Sequence, residues 1–207
     1  MAGPMLLIAT FLSAIMMQYI LGYDGEFTWN SALMYGSIIS ATDPVAVVCL
    51  LKELGASRRL ATLIEGESLL NDGTAMVVFL VFFGIAEGKE ASIGGIIAQF
   101  IRLALGGPLI GLIAGIVVSF MLSRIHNNFV LEVNTTIFAS YLLFFLAENT
   151  EIGVSGILAI CAFGLYMSNI GKTRISAESE HAVHHVWGFI GFLAETIIFI
   201  LTGLIMG

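Results

Sequence analysis

The amino-acid sequence predicts an all-α protein that crosses a membrane several times, on three observations. Apolar residues make up 58% of the 207 residues, and the mean hydropathy is +0.99. Charged residues make up only 11%, less than half of the roughly 25% found in soluble domains. Apolar stretches close to the ~20 residues that span a bilayer recur along the chain. This composition excludes a disordered chain, a secreted disulfide scaffold and an ordinary soluble enzyme.

Seven apolar segments follow one another with short polar connections between them. The first, 4–22, lacks the basic start and the cleavage site of a signal peptide, so we interpret it as a helix. The fourth is long for one straight span and predicts either a tilted helix or a break near Gly106–Pro108. An amphipathic stretch, Ala177–Trp187, is expected along the membrane surface. The segments are 4–22, 29–51, 64–86, 92–122, 130–148, 152–170 and 188–207.

Charge in the connections predicts the orientation of the chain. The loops after the second, fourth and sixth segments carry six Lys and Arg residues, whereas the opposite loops carry Lys89 alone. The excess of basic residues places the loops 52–59, 123–129 and 171–187 in the cytoplasm. The net charge of −7 argues against a nucleic-acid partner. The apolar composition predicts the lipid bilayer as the surroundings of the chain.

Several acidic residues lie inside or at the edge of the apolar segments. Each costs about 2.5–3.5 kcal/mol at the centre of an inserted helix. The surplus of acids predicts protonated acids, bound cations or a basic partner outside this chain; for some, a position at the membrane interface is the alternative. The acids are Asp43, Glu65, Glu67, Asp72 and Glu195, and the comparable base is Arg102.

The second segment contains a proline that predicts a break in its helix. Pro44 has no N–H and forces Asp43 out of the helical region, so we expect two half-helices joined by unwound backbone at Ala41–Asp43. Unwound backbone at membrane depth is tolerated where it lines a cavity or is buried in protein, and in transporters it marks the ion site. A simple proline kink is the alternative interpretation.

The third segment carries a row of polar residues that favours cation binding. At 100° per residue, Glu65 and Ser68 lie on the same stripe as Asp72, and Glu67 and Asn71 form a neighbouring stripe. A carboxylate and a hydroxyl one turn apart are suitable ligands for a partly dehydrated monovalent cation. The alternative is a polar face that only stabilises a helix bundle.

Enzyme chemistry has weaker support in this sequence. The pattern His181-x-x-His184-His185 resembles one histidine box of a membrane di-iron enzyme, but such a site needs about twice the four histidines present. Ser68 and Ser155 lack the surroundings of a serine nucleophile. We therefore predict that the protein is not an enzyme, with a membrane di-iron or serine enzyme as the less favoured alternative.

Three stretches together carry a resemblance to a known family. They are Ala41-Thr42-Asp43-Pro44-Val45-Ala46, Glu65–Ala75 and Glu195–Ile200. They closely resemble the cation/proton antiporter family of sodium/proton exchangers, and the stretch His184-His185-Val186-Trp187 is most similar to its plant salt-tolerance and sperm-type branch. The resemblance implies that 1–207 is an incomplete exchanger transmembrane domain. It further implies a partial inverted-repeat antiporter fold with one discontinuous transmembrane helix.

The resemblance also implies roles for individual residues. Asp72 is the carboxylate that binds either cation or proton, and Ser68 and Thr42 are further oxygen donors to Na⁺. Asp43 balances a half-helix end, and Asn71 is typical of the electroneutral branch. Supporting roles in the polar network fall to Glu67, which pairs with an arginine on a later helix, and to Glu65 and Glu195.

The function that the resemblance implies is exchange of Na⁺, or of K⁺ or Li⁺, for H⁺. It further implies electroneutral transport without a cofactor, a plasma-membrane location and a homodimer in the full-length protein. A cation channel and a non-transporting fragment are the alternatives to such exchange.

Overall fold

The computed structural model describes residues 2–21, 28–87, 93–125, 128–149 and 153–207. These residues form α-helices joined by short connections, and no strand occurs among them. Most residues of the loops predicted opposite the cytoplasm, including Lys89, lie outside the described ranges. The helices are α1 (Ala2–Ile15), α2 (Trp29–Ser40), α3 (Val45–Glu53), α4 (Arg58–Ala86), α5 (Ile93–Leu122), α6 (Phe129–Asn149), α7 (Gly156–Asn169) and α8 (Ala177–Met206).

Five stretches of helix in the described part of the chain are long and apolar enough to cross a membrane. The other two predicted spans differ from a single long helix. One is the pair α2 and α3, and the other is α7, whose 14 residues extend about 21 Å, less than the ~30 Å of a bilayer core. The five spans are Gly3–Ile20, Arg59–Ala86, Gly94–Leu122, Phe129–Asn149 and Ser179–Met206.

The structure of two long helices decides one prediction, on the fourth segment, and overturns another, on Ala177–Trp187. Helix α5 continues through Pro108, so the long fourth segment is one helix without a break. Its 30 residues extend about 45 Å, so the helix must tilt in the bilayer or extend beyond it. The prediction of a separate surface helix at Ala177–Trp187 was wrong, because these residues are the first turns of the uninterrupted helix α8.

Glycines bring α5 into close contact with α7. A Cβ atom added at Gly107 would lie 2.7 Å from the carbonyl oxygen of Ser155, and one at Gly111 would collide with the carbonyl oxygen of Ala159. Small residues four apart, here Gly107 and Gly111, allow two helices to approach this closely. The core beside this contact consists of Val118, Leu122, Leu143, Ala147, Val154, Ala159 and Phe163.

A second packed group joins α1, α2 and α4. Gly36 of α2 lies against α1, where an added Cβ atom would approach the carbonyl oxygen of Thr10 to 2.5 Å. Leu6 of α1 is buried with Ala75 and Val78 of α4. This packing holds the end of α2, and therefore the link that follows it, beside the middle of α4.

Candidate ion-binding site

The link between α2 and α3 is not helical. Helix α2 ends at Ser40 and α3 begins at Val45, and the backbone of Ala41 is extended, with φ −66° and ψ 128°. The predicted break at Ala41–Asp43 is therefore confirmed. A simple proline kink would have kept helical backbone angles at Ala41, so this alternative is excluded.

Two side chains of α4 hold the link through Thr42. The hydroxyl of Ser68 donates a hydrogen bond to the main-chain carbonyl of Thr42. The Asn71 side-chain nitrogen Nδ2 donates to the Thr42 hydroxyl oxygen Oγ1 at 3.3 Å. Ser68 is buried, with 6% of its surface exposed. The unwound carbonyl thus has a partner inside the protein, as backbone at membrane depth requires.

The structure brings one residue from each of the two predicted polar stripes of α4 to the same residue of the link. Ser68 and Asn71, three residues apart on one helix, both reach Thr42, although the helical pattern had placed them on neighbouring stripes. The link passes between these stripes, so each contributes one side chain to it. The sequence alone does not show where a second element crosses a helix face.

Asp72 lies beside the same link, at a cavity of about 380 Å³. Ala41, Ala75 and Ile157 also line this cavity, so it lies where α4 faces both the link and α7. Asp43 is close enough for its charge to repel that of Asp72. A cation placed between two carboxylates relieves such repulsion.

The oxygen atoms near the link are of the kind that binds a hard monovalent cation, and Asp72 contributes its carboxylate to a cavity whose other lining residues in the described part of the chain are apolar. A carboxylate from Asp72 and hydroxyls from Thr42 and Ser68 come from two different elements. Hard cations prefer such oxygen ligands, whereas transition metals favour nitrogen and sulfur. Among the described residues, no group of three or more His, Cys, Asp or Glu side chains is placed to hold a metal ion.

The three supporting acids are all exposed. Glu65 and Glu67 are exposed on α4, and they lie three residues and one residue before Ser68. Glu195 is exposed on α8, a helix that packs against α6, and it makes no hydrogen bond or ion pair within the described residues. The roles implied for these three acids stay predictions.

Two other acids, absent from the sequence-based list, make specific contacts. Glu132 is fully buried, and its two carboxylate oxygens accept hydrogen bonds from the backbone N–H of Ser176 at 3.2 Å and from its hydroxyl at 2.9 Å. Glu148, near the other end of α6, accepts a hydrogen bond from the Gly156 N–H at 2.9 Å. Sequence analysis could have identified Glu132 as an acid in the first turn of an apolar segment, with Thr136 one turn later.

Comparison with known proteins decides the family. The family model described as "Sodium/hydrogen exchanger, transmembrane" matches residues 1–207. The chain belongs to the sodium/hydrogen exchanger family. The resemblance noted from the motifs is confirmed, and the chain is an integral membrane protein.

Relatives of this exchanger chain occur in plants and cyanobacteria. It is 40% identical over 206 residues to sodium/hydrogen exchanger 7 of Arabidopsis thaliana and 39% identical over 206 residues to exchanger 8 of the same plant. It is 36% identical over 205 residues to the low-affinity Na(+)/H(+) antiporter NhaS1 of Synechocystis. These alignments cover 100%, 100% and 97% of the chain but 18%, 27% and 38% of the relatives. The names of these relatives are those of transporters rather than enzymes.

Proposed function

We propose that this protein exchanges Na⁺ for H⁺ across a membrane at the site formed by Asp72, Ser68 and Thr42. The observation that carries the proposal is the non-helical link between α2 and α3, which Ser68 and Asn71 of α4 hold by hydrogen bonds and whose Ala41 lines the same cavity as Asp72. Broken helices of this kind mark the ion sites of transporters. The relatives are named as a sodium/hydrogen exchanger and a Na(+)/H(+) antiporter, and these names favour the same reaction.

In this mechanism the Asp72 carboxylate holds either a cation or a proton. When Na⁺ binds, the hydroxyls of Thr42 and Ser68 replace part of its hydration shell, and the negative charge of Asp43 offsets the cost of dehydration. When a proton binds, Asp72 is neutral and Na⁺ is released. Alternating access follows from movement of the helices that carry the site against the rest of the bundle.

The presence of Asn71 before Asp72 favours electroneutral exchange. An asparagine side chain does not titrate, so a single carboxylate carries one charge in each direction. Asn71 has a structural use as well, since it donates to the Thr42 hydroxyl. One Na⁺ then exchanges for one H⁺ without net movement of charge.

The proposal includes a cellular setting. The basic connections 52–59 and 123–129 and the segment 171–187, which includes the first turns of α8, face the cytoplasm. The plasma membrane is the expected location, with roles in sodium homeostasis and pH regulation. Na⁺ is the proposed substrate, with K⁺ and Li⁺ as its competitors, and no bound cofactor takes part. The complete protein is expected to be a homodimer in the bilayer.

The deciding experiment is Asp72→Asn in the complete protein, reconstituted in liposomes with a trapped pH-sensitive dye. Na⁺-driven proton movement should be lost, while insertion and thermal unfolding stay as in the wild type. The matched control is Glu53→Gln, which changes an exposed carboxylate at the end of α3 and should exchange normally. Exchange above about one tenth of wild type in Asp72→Asn would remove this residue from the mechanism.

The same liposomes distinguish exchange from a cation channel. A channel gives a Na⁺ current that reverses at the Na⁺ equilibrium potential and moves no protons against it. An exchanger acidifies or alkalinises the interior in proportion to the Na⁺ gradient. Proton movement that is independent of Na⁺, or Na⁺ current without proton coupling, would contradict the proposal.

A further inference from the structure

Helix α8 is attached to the rest of the described molecule near its first turns. None of the residues 180–206 is buried, and the helix packs against α6. Helix α8 carries no proline and has no break from Ala177 to Met206, so it moves as one rod. The position of its attached end therefore determines the position of its exposed end.

Two polar contacts make this attachment, which we call the α6–α8 seam. In the first, the buried Glu132 carboxylate of α6 accepts both hydrogen bonds from Ser176, the residue that precedes α8. The Ser176 hydroxyl is also 2.7 Å from that of Ser179. In the second, the Trp187 indole N–H donates to the Thr136 hydroxyl at 3.1 Å.

Open space lies beside part of the seam. A cavity of about 460 Å³ lies between α7 and the first turns of α8. It is lined by Phe163 and Met167 on one side and by His184 and Trp187 on the other. Because α8 has open space beside it, its orientation depends on directional contacts. A fully buried carboxylate is costly to leave without partners, so Glu132 holds Ser176 firmly.

Just past its middle, α8 carries an acid among residues that are mostly apolar in the sequence. Glu195 lies nineteen residues after Ser176, about 28 Å along the helix. A change in tilt of about 10° at the seam would move Glu195 by about 5 Å. Acids within membrane segments mark ion pathways, so their placement matters for transport.

We propose that Glu132 is a positioning residue of the exchange cycle. It fixes the start of α8 through Ser176 and thereby sets where Glu195 lies relative to the ion pathway. The inference rests on the proposed exchange function. Glu132 lies on α6 and not on the elements that hold Thr42, so it changes the rate of the cycle and not the binding of Na⁺.

The test is Glu132→Gln in the complete protein, measured as the Na⁺ dependence of exchange in liposomes. The amide keeps one acceptor and presents an N–H to Ser176. We expect the maximal rate to fall about three- to thirtyfold, with the KM for Na⁺ within about twofold of wild type. Glu132→Asp, which keeps both acceptors, should retain more exchange than Glu132→Gln. Glu180→Gln, an exposed carboxylate one turn into α8, is the matched control and should behave as wild type.

A second readout is independent of transport. Spin labels at positions 138 of α6 and 199 of α8, both exposed, report the distance between the two helices. Glu132→Gln should broaden or shift this distance, and Glu180→Gln should not. The double variant Glu132→Gln/Ser176→Ala should be no slower than Glu132→Gln alone, because both changes break the same contact.

The outcomes separate this inference from the proposed function. Wild-type rate in Glu132→Gln, or an altered distance with an unaltered rate, overturns the positioning role. If Glu132→Gln does not insert, Ser176→Ala must show the same loss of rate and altered distance, and a normal result overturns the inference. If the wild type itself does not exchange, the proposed function fails, and an unaltered distance in Glu132→Gln then overturns the seam as well.

Discussion

The hydroxyl of Ser68 on α4 donates a hydrogen bond to the main-chain carbonyl of Thr42 in the link between α2 and α3. This contact joins the unwound backbone to the helix that carries Asp72. It leaves the Thr42 hydroxyl available to Asn71 and the Asp72 carboxylate available to the cavity. The geometry of the candidate site therefore depends on a serine as much as on its acid.

Ser68→Ala tests this contact together with the proposed role of the Ser68 hydroxyl as a Na⁺ ligand. The change removes a buried donor and leaves the Thr42 carbonyl without it, so the link loses its position beside Asp72. Loss of one hydrogen bond, about 0.5–1.5 kcal/mol, should raise the KM for Na⁺ by about 2- to 10-fold in liposome exchange. Ser123→Ala removes a hydroxyl whose hydrogen bond, within the described ranges, goes to the nearby Phe120 carbonyl, and it should leave the KM unaltered. Equal KM values in both variants would contradict the role of Ser68.

Pro44→Ala tests the break itself. An alanine supplies the missing N–H and removes the restriction on Asp43, so helix can extend into the link and withdraw Thr42 from α4. We expect a large loss of exchange with normal insertion. Pro108→Ala is the matched control, because Pro108 already lies inside a continuous helix and its replacement should leave exchange intact. Full exchange in Pro44→Ala would mean that the break does not depend on this proline.

Gly111→Ala tests the close approach of α5 and α7. Its Cβ atom would collide with the Ala159 carbonyl, and overpacking of this kind costs about 1–3 kcal/mol. The thermal midpoint in detergent should fall. Gly164→Ala, on α7 with open space around the added atom, should be neutral or stabilising by up to about 1 kcal/mol. An unaltered midpoint in Gly111→Ala would show that the helices can separate at little cost.

Voltage independence tests the stoichiometry. The membrane potential acts on each transferred charge with about 2.3 kcal/mol per 100 mV, and this contribution vanishes when Na⁺ and H⁺ exchange one for one. Exchange is measured in liposomes clamped at 0 and about −100 mV with valinomycin and K⁺, once K⁺ is shown not to be a substrate. The Na⁺ and H⁺ gradients at which net exchange stops should be the same at both voltages. A several-fold difference would mean that a second group titrates, and Glu67 or Glu65 would be examined first.

Much of the candidate site was predictable from sequence because its signals are local. Pro44 restricts the backbone conformation of the residues next to it, so the break at Ala41–Asp43 could be predicted without knowledge of the other helices. The contact between Ser68 and Thr42, which are 26 residues apart, was expected only through the family resemblance. Glu132 was missed because its partner, Ser176, is 44 residues away and no local pattern links the two.

Composition and hydropathy by themselves determined that this is an all-α membrane protein, because the cost of burying charge and unpaired backbone in lipid acts on each segment separately. The same local physics determined the break before Pro44. Only the tertiary structure decided that Ser68 and Asn71 meet at Thr42, that α8 is one rod, and that Glu132 holds its start. Those features depend on which helices lie side by side, and hydrogen bonds between helices form only when packing has brought their partners within about 3 Å.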